Sequence, residues 1–263
     1  MTLTIQQAID RIISSIPGAL FSDTVDTIKA GDPSQELTGI TVTFLATCEA
    51  IEHAVQTGAN LVITHEPIFY NHLDTTDWLS EHPSYKAKRR LIQKSGVVIW
   101  RFHDYLHSLP PDSTVMGLLK ELNWEANGPA ERPYLCVVPP MTLRDLGQFV
   151  KQQLGLKTIR VVGDLESQCE QIAVLPGFPP AEFQMATLGM DDADVLITGE
   201  IHEWEVSEYV RDATYLGHKK GLIVLGHAAS EQPGIRLLIP WLEERFPGIA
   251  INFLPTESAF QYL

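Results

Sequence analysis

The ten residues Leu61-Val62-Ile63-Thr64-His65-Glu66-Pro67-Ile68-Phe69-Tyr70 decide the fold. Leu61 to Ile63 is a short apolar run suited to a strand buried on both faces. Pro67 has no N–H to give to a sheet ladder and biases Glu66 toward an extended conformation. The strand therefore stops here, with His65 and Glu66 at its carboxyl end. In open α/β sheets that end is where ligands bind.

Outward from this stretch, strand and helix signals alternate. Upstream, residues 39–46 read as a strand, and Thr47 stands where it caps a helix over 48–57. Earlier still, Ile5, Ala8, Ile9, Ile12 and Ile13 mark one face of a helix over 4–15, which Pro17-Gly18 ends. Residues 18–37 are polar and turn-rich and read as a surface connection. Downstream, a helix over 84–95 ends at Ser95-Gly96, a strand covers Val97 to Phe102, and a helix runs from Ser113 to Leu122. Asn127-Gly128-Pro129-Ala130-Glu131-Arg132-Pro133 reads as a linker. Beyond it come a strand at 135–138, a helix over 142–154 opened by Thr142-Leu143-Arg144-Asp145, and strands near 158–162 and 171–176. A helix after Pro179-Pro180, a strand at 194–198, a helix over 203–213, a strand at 222–226, a helix over 231–245 and a strand at 249–254 complete the series.

The chain also repeats itself. Ala59-Asn60-Leu61-Val62-Ile63-Thr64-His65-Glu66 matches Ala193-Asp194-Val195-Leu196-Ile197-Thr198-Gly199-Glu200. Gly96 to His103 matches Gly221 to His227 with one residue deleted, and the strand at 40–46 corresponds to that at 171–176. Each half thus reads strand, helix, strand ending in T-x-E, helix, strand ending in His. Alternation of this kind implies parallel pairing with right-handed crossovers. The expected architecture is α/β: two pseudo-duplicated halves, residues 1–126 and 134–263, with mainly parallel strands in three layers. A metal site is expected at the strand carboxyl ends, between the halves.

Gly226-His227-Ala228-Ala229-Ser230-Glu231 forms a second His-bearing edge. With a helix starting just after His227, that residue and Glu231 are four apart and share a face. The repeat sets His103 opposite His227 and His107 opposite Glu231. The candidate metal ligands are therefore His65, Glu66, His103, Asp104, His107, His227 and Glu231. Mixed nitrogen and oxygen ligation suits Zn, Mn, Fe or Ni better than Mg or Ca. The inventory exceeds one tetrahedral site. Adjacent His65 and Glu66 would diverge in a regular strand, but a bend at Pro67 aims them at two neighbouring ions, about 3.5–4 Å apart in such centres. Glu200, at the duplicated position, is expected behind the ligands. His53, His72, His82 and His218 read as solvated, as does the Lys86–Arg90 cluster, although that cluster can contact phosphate.

Charge and composition narrow the function classes. A net charge of −14 argues against nucleic acid or an anionic membrane as partner. The N-terminus lacks a basic region followed by an apolar one, and no apolar run approaches the roughly 20 residues that span a bilayer. A soluble, cytoplasmic protein is expected. The three cysteines are scattered and read as small core residues in a reducing compartment. No G-x-x-x-x-G-K-[ST], G-x-G-x-x-G or G-x-S-x-G motif is present.

With these motifs in place, the sequence resembles the Nif-three-like family of dinuclear-metal proteins, often called GTP cyclohydrolase 1 type 2 homologues. Ile63 to Phe69 stands where the family has T-H-H-P or T-H-E-P, and Arg101 to His107 where many members have H-x-x-x-D. Thr198-Gly199-Glu200 followed by Gly226 to Glu231 completes a match that spans nearly the whole chain. The resemblance implies a mixed α/β fold of two related halves, assembled as a toroidal hexamer with two divalent metals per subunit. His65, His227 and Glu231 match family ligands directly. Glu66 stands where many members have a second His and His107 where many have an Asp, which leaves His103 or Asp104 as substitutes. The expected function is a dinuclear metal-dependent hydrolase of a nucleotide or other small phosphorylated or heterocyclic compound, with Glu66 or Glu231 assisting proton transfer. The alternative is a non-catalytic metal chaperone or an adaptor. The partners expected are a small-molecule substrate and further copies of the chain, with neither nucleic acid nor membrane.

Overall fold

Leu61–Thr64 forms a strand buried along its whole length, as its uninterrupted apolar character dictates. The computed structural model describes residues 3–18, 21–109, 111–125, 129, 131–189 and 193–263. The chain divides into two units, Met1–Ser113 with Ile235–Thr256, and Thr114–Gly234 with Glu257–Leu263.

The first unit opens with α1 (Ile5–Ser14), where Thr4 and Gln7 form a reciprocal capping box and Ile5, Ala8, Ile9 and Ile12 are buried. Next come β1 (Ile28–Ala30), β2 (Gly39–Thr43), α2 (Cys48–Gln56), β3 (Leu61–Thr64), α3 (Pro83–Ser95), β4 (Val98–Arg101) and the single turn α4 (Asp104–His107). Thr47 caps α2 by accepting from the Ala50 N–H at 3.1 Å. Proline at the first position opens α3, and Gly96, left-handed at φ 69°, stops it. The sheet order is β1-β4-β3-β2-β10, where β10 (Ala250–Leu254) is the last strand of the chain. All pairs are parallel except β1 with β4. Ile51 and Ala54 of α2, with Tyr85 and Ile92 of α3, pack on Val62 and Ile99 of the sheet. The stretch 18–37, expected as a long surface connection of the kind that is often functional, contributes β1. Three residues are too few for an alternating pattern to be legible.

In the second unit, α5 (Ser113–Glu121) precedes β5 (Leu135–Thr142), α6 (Leu143–Gln153), β6 (Arg160–Val162), β7 (Gln168–Leu175) and α7 (Ala181–Gly189). Then come β8 (Val195–Thr198), α8 (Glu208–Tyr215), β9 (Gly221–Val224) and α9 (His227–Arg236), while α10 (Leu238–Arg245) lies in the first unit. The sheet order is β5-β7-β8-β9-β6, with β7, β8 and β9 parallel and both edges antiparallel. Side chains alternate across this sheet. Ile172, Val174, Val195, Ile197 and Ile223 pack with Leu118, Leu143 and Leu146 on one face. Ala173, Leu196 and Leu222 pack with Leu188, Val206 and Val210 on the other. The sheet thus lies between two helical layers.

The repeat survives folding as a parallel triplet, β2-β3-β4 in one unit and β7-β8-β9 in the other. The register corrects one detail. Val98 pairs with Leu61 and Gly221 with Val195, so Val98, not Gly96, is the counterpart of Gly221. The helix expected from 231 starts at His227 instead, contains Pro233, and is succeeded by α10 as a separate element. The helix expected over 203–213 begins as a π-helical turn, Glu203–Ser207. Of the expected linker, Asn127, Gly128 and Ala130 lie outside the described residues. No helix among the described residues is long and apolar enough to cross a membrane.

The cysteines divide by environment. Burial pushes the Cys136 and Cys169 thiols up to about 11, whereas Cys48 is exposed at the first position of α2 and is not the core residue expected. At pH 8 a disulfide exchange reagent such as Ellman's should therefore modify one of the three thiols rapidly in the folded protein and all three after unfolding. A second rapid equivalent from folded protein would contradict this assignment.

Candidate metal centre

β3 and β4 are parallel neighbours, so the residues that follow their last paired positions, Thr64 and Arg101, emerge together. His65 is 2% exposed, and its Nδ1 lies 3.1 Å from the Phe102 carbonyl oxygen. An acceptor at that distance places the proton on Nδ1 and leaves the lone pair on Nε2. The same device recurs twice in this unit. His103 Nδ1 lies 2.8 Å from Asp104 Oδ1, and His107 Nδ1 lies 2.9 Å from Asp112 Oδ2. The three rings pack with centroids 4.7, 5.1 and 4.8 Å apart. One ligand atom from each of the three falls within 4.8 Å of the others, so the group is able to hold a metal ion. Burial first, then the neighbouring His65, push the His103 pKa down to about 3. His103 is thus neutral through the physiological range, the form that coordinates metal.

Glu66 joins this group from the next position. Its Oε1 lies 3.8 Å from His103 Nε2 and its Oε2 lies 3.7 Å from Arg101 Nη2. The turn after Thr64 thus brings His65 and Glu66 to the same histidine. Behind them Arg101 is fully buried. Its Nε donates to the His65 carbonyl at 3.2 Å, Nη1 donates to the His72 carbonyl, and Nη1 also lies 3.6 Å from Asp74 Oδ2. Asp74 in turn pairs with Lys29 at 3.4 Å.

Asp104 braces His103. One carboxylate oxygen holds His103, and the other accepts from Thr24 Oγ1 at 2.7 Å and the Val25 N–H at 3.1 Å. Burial opposes its ionisation, but these hydrogen bonds prevail and keep its pKa below the ordinary value. Asp26, from the supposed connection, is 5% exposed. Its carboxylate accepts the N–H groups of His103, Asp104 and Tyr105 at 2.7, 3.1 and 2.8 Å, which closes the amino end of α4. Burial outweighs these bonds and raises its pKa.

The second unit carries its own group at the ends of β8 and β9. His227 Nδ1 lies 3.0 Å from Glu200 Oε2, and its Nε2 lies 3.2 Å from Glu231 Oε2, one helical turn along α9. Glu231 is 2% exposed. It sits against Gly177, where an added Cβ would fall 2.2 Å from Glu231 Oε1. Ser230 Oγ accepts from the Gly177 N–H at 2.9 Å and donates to the His227 carbonyl at 2.7 Å. Glu200 lies behind His227, as the repeat suggests.

Among the candidates, then, the first unit brings His65, Glu66, His103 and His107 together and turns Asp104 into a brace for His103. The second pairs His227 with Glu231. Sequence reasoning missed Asp26, Arg101, Asp112 and Gly177. Asp112 alone had a local signal, a carboxylate five residues after His107. His72 is exposed, as expected, and its backbone carbonyl accepts from Arg101. Lys88 is 7% exposed and donates to the Ile68 carbonyl at 2.7 Å, so the basic cluster is not uniformly solvated.

The chain belongs to the Duf34/NIF3 (NGG1p interacting factor 3) family, whose sequence model matches residues 4–259. A Clostridium perfringens protein named GTP cyclohydrolase 1 type 2 homolog is 27% identical over 256 residues, covering 88% of this chain and 87% of its own. A Chlamydia pneumoniae protein of the same name is 25% identical, with 89% and 90% covered. Among solved structures, a Staphylococcus aureus hypothetical protein superimposes with TM-score 0.77 at 20% identity over 100% of both chains. A Bacillus cereus protein related to NIF3 gives 0.74 at 15% identity, over 100% of this chain and 99% of its own. These likenesses show the fold, a mixed α/β protein with two five-stranded, mainly parallel sheets.

Proposed function

We propose that this chain is a dinuclear divalent-metal protein, with two ions per subunit, that hydrolyses a nucleotide or another small phosphorylated or heterocyclic compound. One observation carries the reading. His65, His103, His107 and His227 each meet an oxygen acceptor through Nδ1, the support that metal-bound histidines receive. His65, Glu66, His103 and His107 would hold metal from the first unit, and His227 and Glu231 from the second. The nitrogen-rich donor set favours Zn, Mn, Fe or Ni. Divalent ions supply Lewis acidity to such a site. Glu66 has one oxygen toward His103 and the other toward Arg101, so it can receive a proton at Oε1 while remaining anchored through Oε2. Glu231 is the corresponding carboxylate of the second group. The name borne by the curated relatives supports a nucleotide as the substrate class. Residues 1–126 and 134–263 are the proposed ancestral repeats, and the unpaired cysteines support a cytoplasmic setting.

The test is elemental analysis of metal-replete protein alongside a turnover screen over nucleotides. Wild type should carry two ions per chain, and His103→Ala should lose metal and turnover together. Full metal loading with no turnover would favour the metal chaperone or adaptor instead. Protein that holds no metal at all would end both readings.

The toroidal hexamer is part of the same proposal. Light scattering should return a mass of six times 29.3 kDa. A monodisperse monomer at micromolar concentration would remove the hexamer and leave the metal site untouched.

A further inference from the structure

The first unit has a second concave region, lined by none of the candidate metal ligands. Two cavities of about 610 and 400 Å³ share Thr76, Tyr85, Arg89 and Gln93. The larger falls within the range of small-molecule sites, about 300–1,000 Å³. Its apolar lining is Phe69, Tyr85, Ile92 and Val97, and the Phe69 and Tyr85 rings meet edge-on at 5.0 Å.

The charged lining is mixed: Lys29, Lys86, Arg89 and Arg90 stand with Asp32, Asp74 and Asp77, and Lys29 pairs with Asp74 at 3.4 Å. Helix α3 carries Lys86, Lys88, Arg89, Arg90 and Lys94 with no acidic residue, in a chain of net charge −14. Lys88 is turned inward to Ile68 and Lys86 pairs with Glu81 at 2.7 Å. Arg89 and Arg90 make no hydrogen bond or ion pair among the described residues, and both line the smaller cavity. Tyr85 is 6% exposed and lines both cavities, yet its hydroxyl has no hydrogen-bond partner among the described residues. The Tyr85 phenol and two exposed, unpaired guanidiniums thus line this region together, free to meet an acceptor.

We propose that this hollow binds a small phosphorylated molecule with an aromatic or apolar body. The body would lie on Phe69, Tyr85 and Ile92, and the phosphate would meet Arg89, Arg90 and the Tyr85 hydroxyl. A guanidinium pair reads phosphate oxygens in bidentate fashion, and a volume of this size fits a single small ligand rather than a polymer.

Phenyl phosphate is the probe, titrated calorimetrically into chelator-treated protein so that metal plays no part. Wild type should show one saturable site, with inorganic phosphate weaker and benzyl alcohol inert. Arg89→Ala/Arg90→Ala should weaken phenyl phosphate about tenfold or more. Both arginines are exposed, so the fold should be kept. Tyr85→Phe, which keeps the ring and removes only the hydroxyl, should weaken it several-fold. His65→Ala should leave binding unchanged. The proposal is overturned by the absence of saturable binding, by undiminished affinity in the double variant, or by loss of binding in His65→Ala. It is also overturned if a single-stranded oligonucleotide outcompetes phenyl phosphate through the same two arginines.

Discussion

Replacing Arg101 by Met should destabilise the first unit by about 3–5 kcal/mol, the penalty for stripping one partner from a buried ion pair. The side chain is fully buried and stands between two carboxylates, Glu66 at 3.7 Å and Asp74 at 3.6 Å. It also donates to the carbonyl oxygens of His65 and His72. Methionine fills the volume but leaves both carboxylates without this cation and both carbonyls without a donor. Lysine keeps the charge yet cannot reach several acceptors at once with a single ammonium, so Arg101→Lys should recover only part of the loss. A fall of roughly 10 °C in the unfolding midpoint is expected for Met, measured in chelator so that metal linkage plays no part. A midpoint within about 2 °C of wild type would show that the buried arginine is not what secures the 65–74 corner.

The contrast between Arg101 and its surroundings shows how far one sequence can be read. Strand cores, the Thr47 and Thr142 caps and the Gly96 end of α3 were legible because each depends on neighbours in the chain. The parallel triplet was legible because it is written twice. Lys88 could have been placed: with Tyr85 and Ile92 it lies on one helical stripe, and all three are buried. Asp26 offered no such signal. It lies 77 residues from the His103 N–H it accepts, inside a stretch whose polarity resembles any exposed loop. β10 was legible as a strand, but its place was not: it adds in parallel to β2 at the far edge of the first sheet. Local periodicity reports which face of an element is covered, but not by what. The candidate ligands were visible as residue types at strand ends, whereas the acceptors at their Nδ1 atoms and the glycine beside Glu231 emerge only from tertiary structure.

That glycine supports the second large effect. Gly177→Ala should destabilise the second unit by about 3–4 kcal/mol, by adding a left-handed penalty of about 1–2 kcal/mol to a steric one. Gly177 has φ +76°, and a Cβ there would lie 2.2 Å from Oε1 and 3.0 Å from Cδ of Glu231. Glu231 is almost wholly buried on α9, with His227 Nε2 3.2 Å from its other oxygen. The new methyl must displace that carboxylate or the helix that bears it. A second glycine in the same unit separates the two contributions. Gly155 is also left-handed, at φ +62°, but has open space where its Cβ would go. Gly155→Ala should therefore show the conformational penalty alone, about 1–2 kcal/mol, with metal content unchanged. If Glu231 holds a divalent ion, as proposed above, Gly177→Ala should lose metal as well as stability. Urea denaturation and elemental analysis of the two variants decide the matter together. Equal destabilisation with equal metal content would mean that Glu231 yields to the methyl freely, and that the close approach of Gly177 does not fix the carboxylate in place.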